Sequence, residues 1–156
     1  MEQVDKRTVL IPIDTSEHSR RAFRWYIKNM KQDNDFVVFV HVVEPVYTTP
    51  AVGILEPSPI FHDFTHMMNE AIAEGKRLGH EFMNETKTAG ITPKAFIHVD
   101  TKPGAALVKS AKDYKANVIV IGNRGCGTLR RTFLGSVSDH VLHHAHIPVV
   151  VVPPEQ

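Results

Sequence analysis

Two kinds of apolar pattern alternate along this chain. Short runs of mostly β-branched residues, such as 36–43, are typical of strands buried on both faces of a sheet. Between these runs, apolar residues recur every three or four positions, which is typical of amphipathic helices. The runs predict strands at residues 7–13, 36–43, 94–99, 117–121 and 148–152, and the periodic segments predict helices at residues 16–30, 62–88, 103–115 and 136–145.

Alternation of strands with helices favours an α/β fold. We therefore predict a single domain, residues 1–156, built on one open parallel sheet with helices on both faces. Crossovers that cover both faces require one reversal of strand order, and ligands of such sheets bind at that reversal, outside the carboxyl ends of the strands. The carboxyl ends are therefore the expected place for a binding site.

A glycine-rich, basic loop, residues 122–136, joins the fourth strand to the last helix. Glycines let a backbone approach a phosphate closely, and the first N–H groups of a helix carry partial positive charge, so this loop predicts an anion site. Arg124, Arg130 and Arg131 add positive charge to it. Asp14 follows the first strand and faces the same crevice if the first and fourth strands are neighbours.

Some of these features have simpler interpretations. Asp14 can cap the first helix, and Ser136-Val-Ser-Asp139 has the form of a capping box at the last one. A Walker-type phosphate loop would need a lysine where Thr128 stands. His140 and His144 share a helix face, but the spacing of the other potential ligands does not predict a metal site.

Residues 45–61 contain four prolines and show no clear period, which predicts a long loop over the surface. The apolar residues in this segment fit a flap over a ligand or a surface for a partner. The sequence does not decide between the two.

The charge balance excludes some classes of partner. Eighteen Lys and Arg residues against 17 Asp and Glu residues leave a net charge of +1, which gives no field for gathering nucleic acid or an anionic membrane. No apolar stretch approaches the length that spans a bilayer. The single cysteine, Cys126, cannot form an internal disulfide and fits a reducing compartment. We expect a cytoplasmic protein without nucleic-acid or membrane partners.

The spacing Gly122-x2-Gly125-x9-Gly135-Ser136 resembles the nucleotide-binding signature of the universal stress protein family. Further resemblances are Asp14-x-Ser16-x-x-Ser19 after the first strand, His41-Val42 at the second, and Ile147-Pro148-Val149 at the last. The resemblance covers essentially the whole chain. It implies a Rossmann-like sheet of the adenine-nucleotide alpha hydrolase type with strand order 3-2-1-4-5, bound ATP with or without Mg²⁺, and a homodimer through Val149–Val152.

The resemblance also implies which residues hold the nucleotide. They are Pro12, Ile13, Asp14, Val42, Gly122, Asn123, Arg124, Gly125, Gly135, Ser136 and Val137. Asp14 would contact the ribose, Val42 the adenine through its backbone, and Gly125, Gly135 and Ser136 the phosphates. Arg130 and Arg131 are added as phosphate contacts from their charge and position. One departure is Lys102-Pro103-Gly104, where family members often place a glycine before the proline; we expect this helix start to lie far from the phosphate loop.

These observations favour a nucleotide-holding module of the stress response. Rapid phosphoryl transfer needs groups that position a nucleophile, and the glycine loop offers arginines but no carboxylate, so no catalytic residue is predicted. Two alternatives remain open. One is a slow Mg²⁺-dependent ATPase of the same fold, and the other is a dimeric interaction protein that binds no nucleotide.

Overall fold

The computed structural model describes residues 6–45, 59–123 and 135–155. Five strands and four helices alternate along these ranges. They are β1 (Arg7–Pro12), α1 (Glu17–Asn29), β2 (Asp35–Val43), α2 (Pro59–Thr88), β3 (Thr92–Val99), α3 (Pro103–Asp113), β4 (Val118–Gly122), α4 (Ser136–His144) and β5 (Val149–Val152). None of the helices in the described ranges is long and apolar enough to cross a membrane.

Most predicted boundaries differ from the observed ones by one or two residues at either end. The larger difference is at α2, which begins at Pro59 and not at residue 62, so the end of the predicted 45–61 loop is helical. Proline suits the first turn of a helix, where its missing N–H leaves no hydrogen bond unmade. Residues 46–58 of that predicted loop lie outside the described residues.

The sheet has the order β3-β2-β1-β4-β5, and every pair of neighbouring strands is parallel. The predicted order 3-2-1-4-5 is thereby confirmed. In the centre, Val9 of β1 pairs with Val37 on one side and with Val118 on the other. The strand order reverses between β1 and β4, so the carboxyl ends of these two strands border the expected crevice.

Each face of the sheet carries its own apolar core. Val9 and Ile11 point to the face covered by α1 and α2, whereas Leu10 points to the face covered by α3 and α4. On the first face, Phe23, Phe39 and Phe82 meet with ring centroids 5.3 to 5.6 Å apart. The crevice opens on the second face, beside the starts of α3 and α4.

A buried ionic network closes the opposite, amino-terminal edge of the sheet. The Asp35 carboxylate is fully buried, and Arg7 donates to its two oxygens at 2.7 Å each. The Tyr26 hydroxyl and the Gln32 N–H donate at 2.7 and 2.9 Å. Burial acts to raise the pKa of Asp35, but these hydrogen bonds outweigh it and hold the pKa below its usual range. Burial raises the pKa of Tyr26.

Candidate functional site

A cleft of about 290 Å³ lies at the carboxyl edge of the sheet, where the strand order reverses. Its walls come from the turn after β1, the ends of β2 and β4, and the starts of α3 and α4. Parallel strands place all these turns and helix starts at one edge, although they are far apart in sequence.

Eight of the predicted nucleotide-binding residues line this cleft. They are Pro12, Ile13, Asp14, Val42, Gly122, Gly135, Ser136 and Val137. Asn123 does not line it, but sits at the base of the loop that follows β4. Arg124, Gly125, Arg130 and Arg131 lie outside the described residues, as does Cys126.

Hydrogen bonds between neighbours shape the turn after β1. The Ile13 N–H donates to Val40 O at 2.9 Å and so extends the ladder with β2 by one residue. Asp14 Oδ1 accepts from the Ser16 N–H at 2.9 Å and from the Ser16 hydroxyl. Ser19 Oγ donates to Asp14 O at 2.9 Å. The Asp14 carboxylate is therefore held at the mouth of the cleft by the turn itself.

His41 is a cleft residue with a defined proton position. Its Nδ1 lies 2.8 Å from Ile13 O, and because a carbonyl can only accept, Nδ1 carries the proton. The ring packs against α2 at Gly75, where a Cβ would come within 2.7 Å of it. A glycine at position 75 thus lets α2 approach the histidine that fixes the ends of β1 and β2.

Gly122 ends β4 in close contact with α1. A Cβ at this position would lie 2.3 Å from the carbonyl oxygen of His18, a backbone atom with little freedom to move. The family resemblance implies that the Gly122 backbone passes close to a ribose, which is one reason for a glycine at this position. The structure adds a second reason for glycine here, which is the approach of the first helix.

The N-terminus of α4 lines the same cleft as Asp14. The N-cap is Gly135, with extended backbone (φ −61°, ψ 154°), and Ser136 is the first helical residue. The predicted capping box is therefore wrong, because no side chain makes a cap hydrogen bond and Ser136 lies one position too late. The N–H groups of Ser136, Val137 and Ser138 have no acceptor within the helix. Their partial positive charge suits an anion.

The sequence profile of the universal stress protein family matches residues 6–153. The chain belongs to this family. A universal stress protein of Methanocaldococcus jannaschii is 30% identical over 151 residues, which cover 94% of this chain and 81% of that protein. One of Mycolicibacterium smegmatis is 29% identical over 144 residues and 92% of this chain. The chain spans 47% of the length of that relative and 62% of the length of a universal stress protein of Arabidopsis thaliana.

Solved structures of universal stress proteins share this fold. UspA from Lactobacillus plantarum superposes with a TM-score of 0.75 at 22% identity, over 94% of this chain and 97% of that chain. An Arabidopsis thaliana family protein with AMP bound gives 0.69 at 23% identity, over 96% and 92%. A universal stress protein in complex with cAMP gives 0.63 at 23% identity, over 95% and 97%.

The start of α3 is where this universal stress protein departs from the usual glycine before proline. Pro103 and Leu107 line the cleft together with Ser136, so the expectation that this helix start lies far from the phosphate loop is wrong. The two helices meet where a Cβ on Gly104 would come within 2.9 Å of the His140 side chain. This close packing brings the starts of α3 and α4 to one cleft.

Several residues that line the cleft were not among the predicted nucleotide contacts. They are His18, Ser19, Val40, His41, Glu44, Pro103, Leu107, Ile121 and Ser138. Some of them could have been predicted from their place in the element order, because every helix start that follows a strand lies at the same edge of a parallel sheet. Pro103, at a helix start, is one of them.

The histidines of α4 stack on one another. The rings of His140 and His144 lie 4.1 Å apart, with 19° between their planes. Within residues 6–45, 59–123 and 135–155, no three His, Cys, Asp or Glu residues are grouped so that they could hold a metal ion.

Proposed function

We propose that this universal stress protein binds an adenine nucleotide, ATP above all, in the cleft between β1 and β4 and holds it as a signalling module. The observation that carries the proposal is the position of the α4 N-terminus, whose first-turn N–H groups share the cleft with Asp14 and Val42. One cleft thus combines a site suited to an anion with a site suited to a sugar and a base. The relatives that hold AMP and cAMP support this proposal.

The two ends of the cleft differ in chemistry, as the two ends of a nucleotide do. The phosphates would lie against the start of α4, where N–H groups and the helix dipole favour negative charge. The base would lie towards Val42, above the buried side chains of Val40 and Leu107. Asp14, between these ends, would accept hydrogen bonds from the ribose hydroxyls. The cleft volume of about 290 Å³ is close to the lower limit for small-molecule pockets.

The test is a change of charge at Ser136. Ser136→Asp places a carboxylate in the first turn of α4, where the helix dipole stabilises it and the fold is kept. The same charge repels phosphate, so we expect the ATP dissociation constant to rise by about tenfold or more while adenosine binding is unchanged. Isothermal titration calorimetry measures both ligands.

Ser136→Asn is the matched control, because asparagine has nearly the same size as aspartate but no charge. This variant should bind ATP within a few-fold of the wild-type affinity. Equal ATP affinity in the two variants, or no ATP binding by the wild-type protein, contradicts the proposal. Identifying the bound nucleotide before and after incubation with Mg²⁺ separates holding from slow hydrolysis.

We also propose a homodimer that pairs through β5. This strand, Val149–Val152, forms one edge of the sheet, is four valines long and carries no charge or proline. The other edge, β3, contains Pro93 and Lys94, two residue types that discourage pairing between chains. The contrast between the two edges favours β5 as the strand that a second copy extends.

A further inference from the structure

Asn123 uses three of its polar groups at the base of the loop that follows β4. Its N–H donates to Val152 O at 3.0 Å, which joins it to the end of β5. Its side-chain Oδ1 accepts from the Gly135 N–H at 3.1 Å. Its own carbonyl oxygen accepts from Arg21 Nη2 at 2.8 Å. One residue therefore connects β4, β5, α1 and the cap of α4.

The bond between Asn123 and Gly135 closes the loop at its two ends. These residues are twelve positions apart in sequence. Gly135 is the N-cap of α4, so the side chain of Asn123 fixes the position of the helix start. The first-turn N–H groups of α4 are then held in place before an anion arrives, which lowers the entropy lost on binding.

Arg21 supports the same base from α1. Its Nη2 reaches Val152 O at 3.4 Å as well as Asn123 O, and its Nη1 lies 3.1 Å from His18 Nδ1. A guanidinium only donates, so His18 accepts at Nδ1 and carries its proton on Nε2. Arg21 Nε is buried without a partner among the described residues. The guanidinium is thus fixed between the loop base and a histidine of the cleft.

We propose that Asn123 and Arg21 are positioning residues of the nucleotide site, which hold the carboxyl end of β4 and the start of α4 at the separation that phosphate binding needs. This inference rests on the proposed function. It changes the role of Asn123, which the family resemblance placed among the nucleotide contacts. The residue acts on the phosphates through Gly135 and α4.

The chain supplies a matched control at the other end of the same strand. Asn117 Oδ1 accepts from the Thr8 N–H at 2.7 Å, so Asn117→Ala also removes a side-chain acceptor from a backbone N–H. That bond lies at the amino-terminal edge, away from the cleft. Both alanine variants should lower the thermal unfolding midpoint by a similar amount, and the melting curves show whether each still folds.

The decisive measurement is ligand affinity by calorimetry. We expect Asn123→Ala to weaken ATP binding by about tenfold, the effect of losing one well-placed hydrogen bond, and to leave adenosine binding unchanged, while Asn117→Ala leaves both unchanged. Arg21→Lys should weaken ATP binding as well, because a point charge cannot replace the fork of hydrogen bonds. Arg24→Lys, at an exposed position on the same helix, is its control.

Amide exchange supplies a readout that does not depend on nucleotide. In the free protein, the Gly135 amide should exchange faster in Asn123→Ala than in Asn117→Ala. If the wild-type protein binds ATP and the two asparagine variants bind it equally well, the positioning role is wrong and the proposed function stands. If the wild-type protein binds no adenine nucleotide, both proposals are wrong.

Discussion

The backbone of α1 lies so close to Gly122 that there is no room for a side chain at this position. Replacement by alanine would bring Cβ to 2.3 Å from His18 O, and relieving that contact means moving α1 away from β4. We expect Gly122→Ala to lower the free energy of unfolding by about 2 kcal/mol or more, measured by urea denaturation.

Gly135→Ala is the control for this prediction. A Cβ there would meet nothing closer than Ser138 Oγ at 3.8 Å, and the backbone is extended with negative φ. Alanine is a poorer N-cap than glycine, so a loss below about 1 kcal/mol is expected. Equal losses in the two alanine variants would show that the contact with His18 does not govern the choice of glycine.

Single residues were the hardest feature to predict correctly. Ser136 was expected to cap α4, but the N-cap is Gly135, whose N–H donates to the side chain of Asn123, a residue twelve positions away in sequence. His41 was noticed as part of a family pattern, yet its bond to Ile13 O depends on the alignment of two strands. Sequence periodicity carries no information about such contacts.

The backbone groups on the outer edge of β5 are the ones available to the proposed homodimer. The Ile119 and Asn123 N–H groups donate to Pro148 O and Val152 O. The backbone N–H and C=O groups of the even-numbered residues of β5 therefore point towards β4. Backbone groups alternate along a strand, so the N–H and C=O of Val151 face the open edge.

Val151→Pro should therefore separate the proposed dimer. It removes an N–H from the outer edge and leaves the hydrogen bonds to β4 in place. Light scattering at micromolar concentration should show a dimer for the wild-type protein and for Val150→Ala, and a monomer for Val151→Pro. A wild-type protein that is already monomeric, or a Val151→Pro variant that remains dimeric, contradicts the role of β5.

Secondary structure elements were predicted well because periodicity reports burial directly. All nine elements are present, and the main shift, the earlier start of α2 at Pro59, reflects the suitability of proline for a first helical turn. The position of the α3 start was misjudged, since its closeness to α4 comes from the packing of Gly104 against His140. Packing between elements distant in sequence leaves no local pattern.

Acid should destabilise the whole molecule through Asp35. Because its pKa is lower in the folded protein, the contribution of Asp35 to stability is fully present above the unfolded pKa of about 3.9 and is lost as the pH falls through the folded value. Asp35→Asn should cost about 3 kcal/mol at pH 7, because Arg7 loses a buried partner, and should make stability fall less steeply below pH 4.

Urea denaturation at several pH values measures both effects. Glu74→Gln is the control, since Arg77 also holds the pKa of Glu74 below its usual range, but at an exposed position where solvent weakens the pair. Its pH dependence should match that of the wild-type protein. An Asp35→Asn variant with an unchanged slope below pH 4 would exclude Asp35 as the acid-sensitive group.

At the scale of the whole molecule, the apolar pattern predicts the fold class but not the order of the strands. β1 and β4 both contain a short run of buried aliphatic residues, and neither run shows in sequence that the two strands are neighbours. The order came from the family resemblance. The cleft depends on that order, because Asp14 and Ser136 line one cleft only when β1 and β4 pair.

The central position of β1 also has a consequence for the time course of synthesis. Its Val9 finds one partner 28 positions further along, at Val37, and the other 109 positions further along, at Val118. A growing chain therefore carries β1 with one side unpaired until β4 has left the ribosome, and contacts between such distant residues form slowly. The central pair of the sheet, β1 with β4, therefore forms only after β2 and β3 are available, and until then the nascent protein exposes one edge of the buried strand β1.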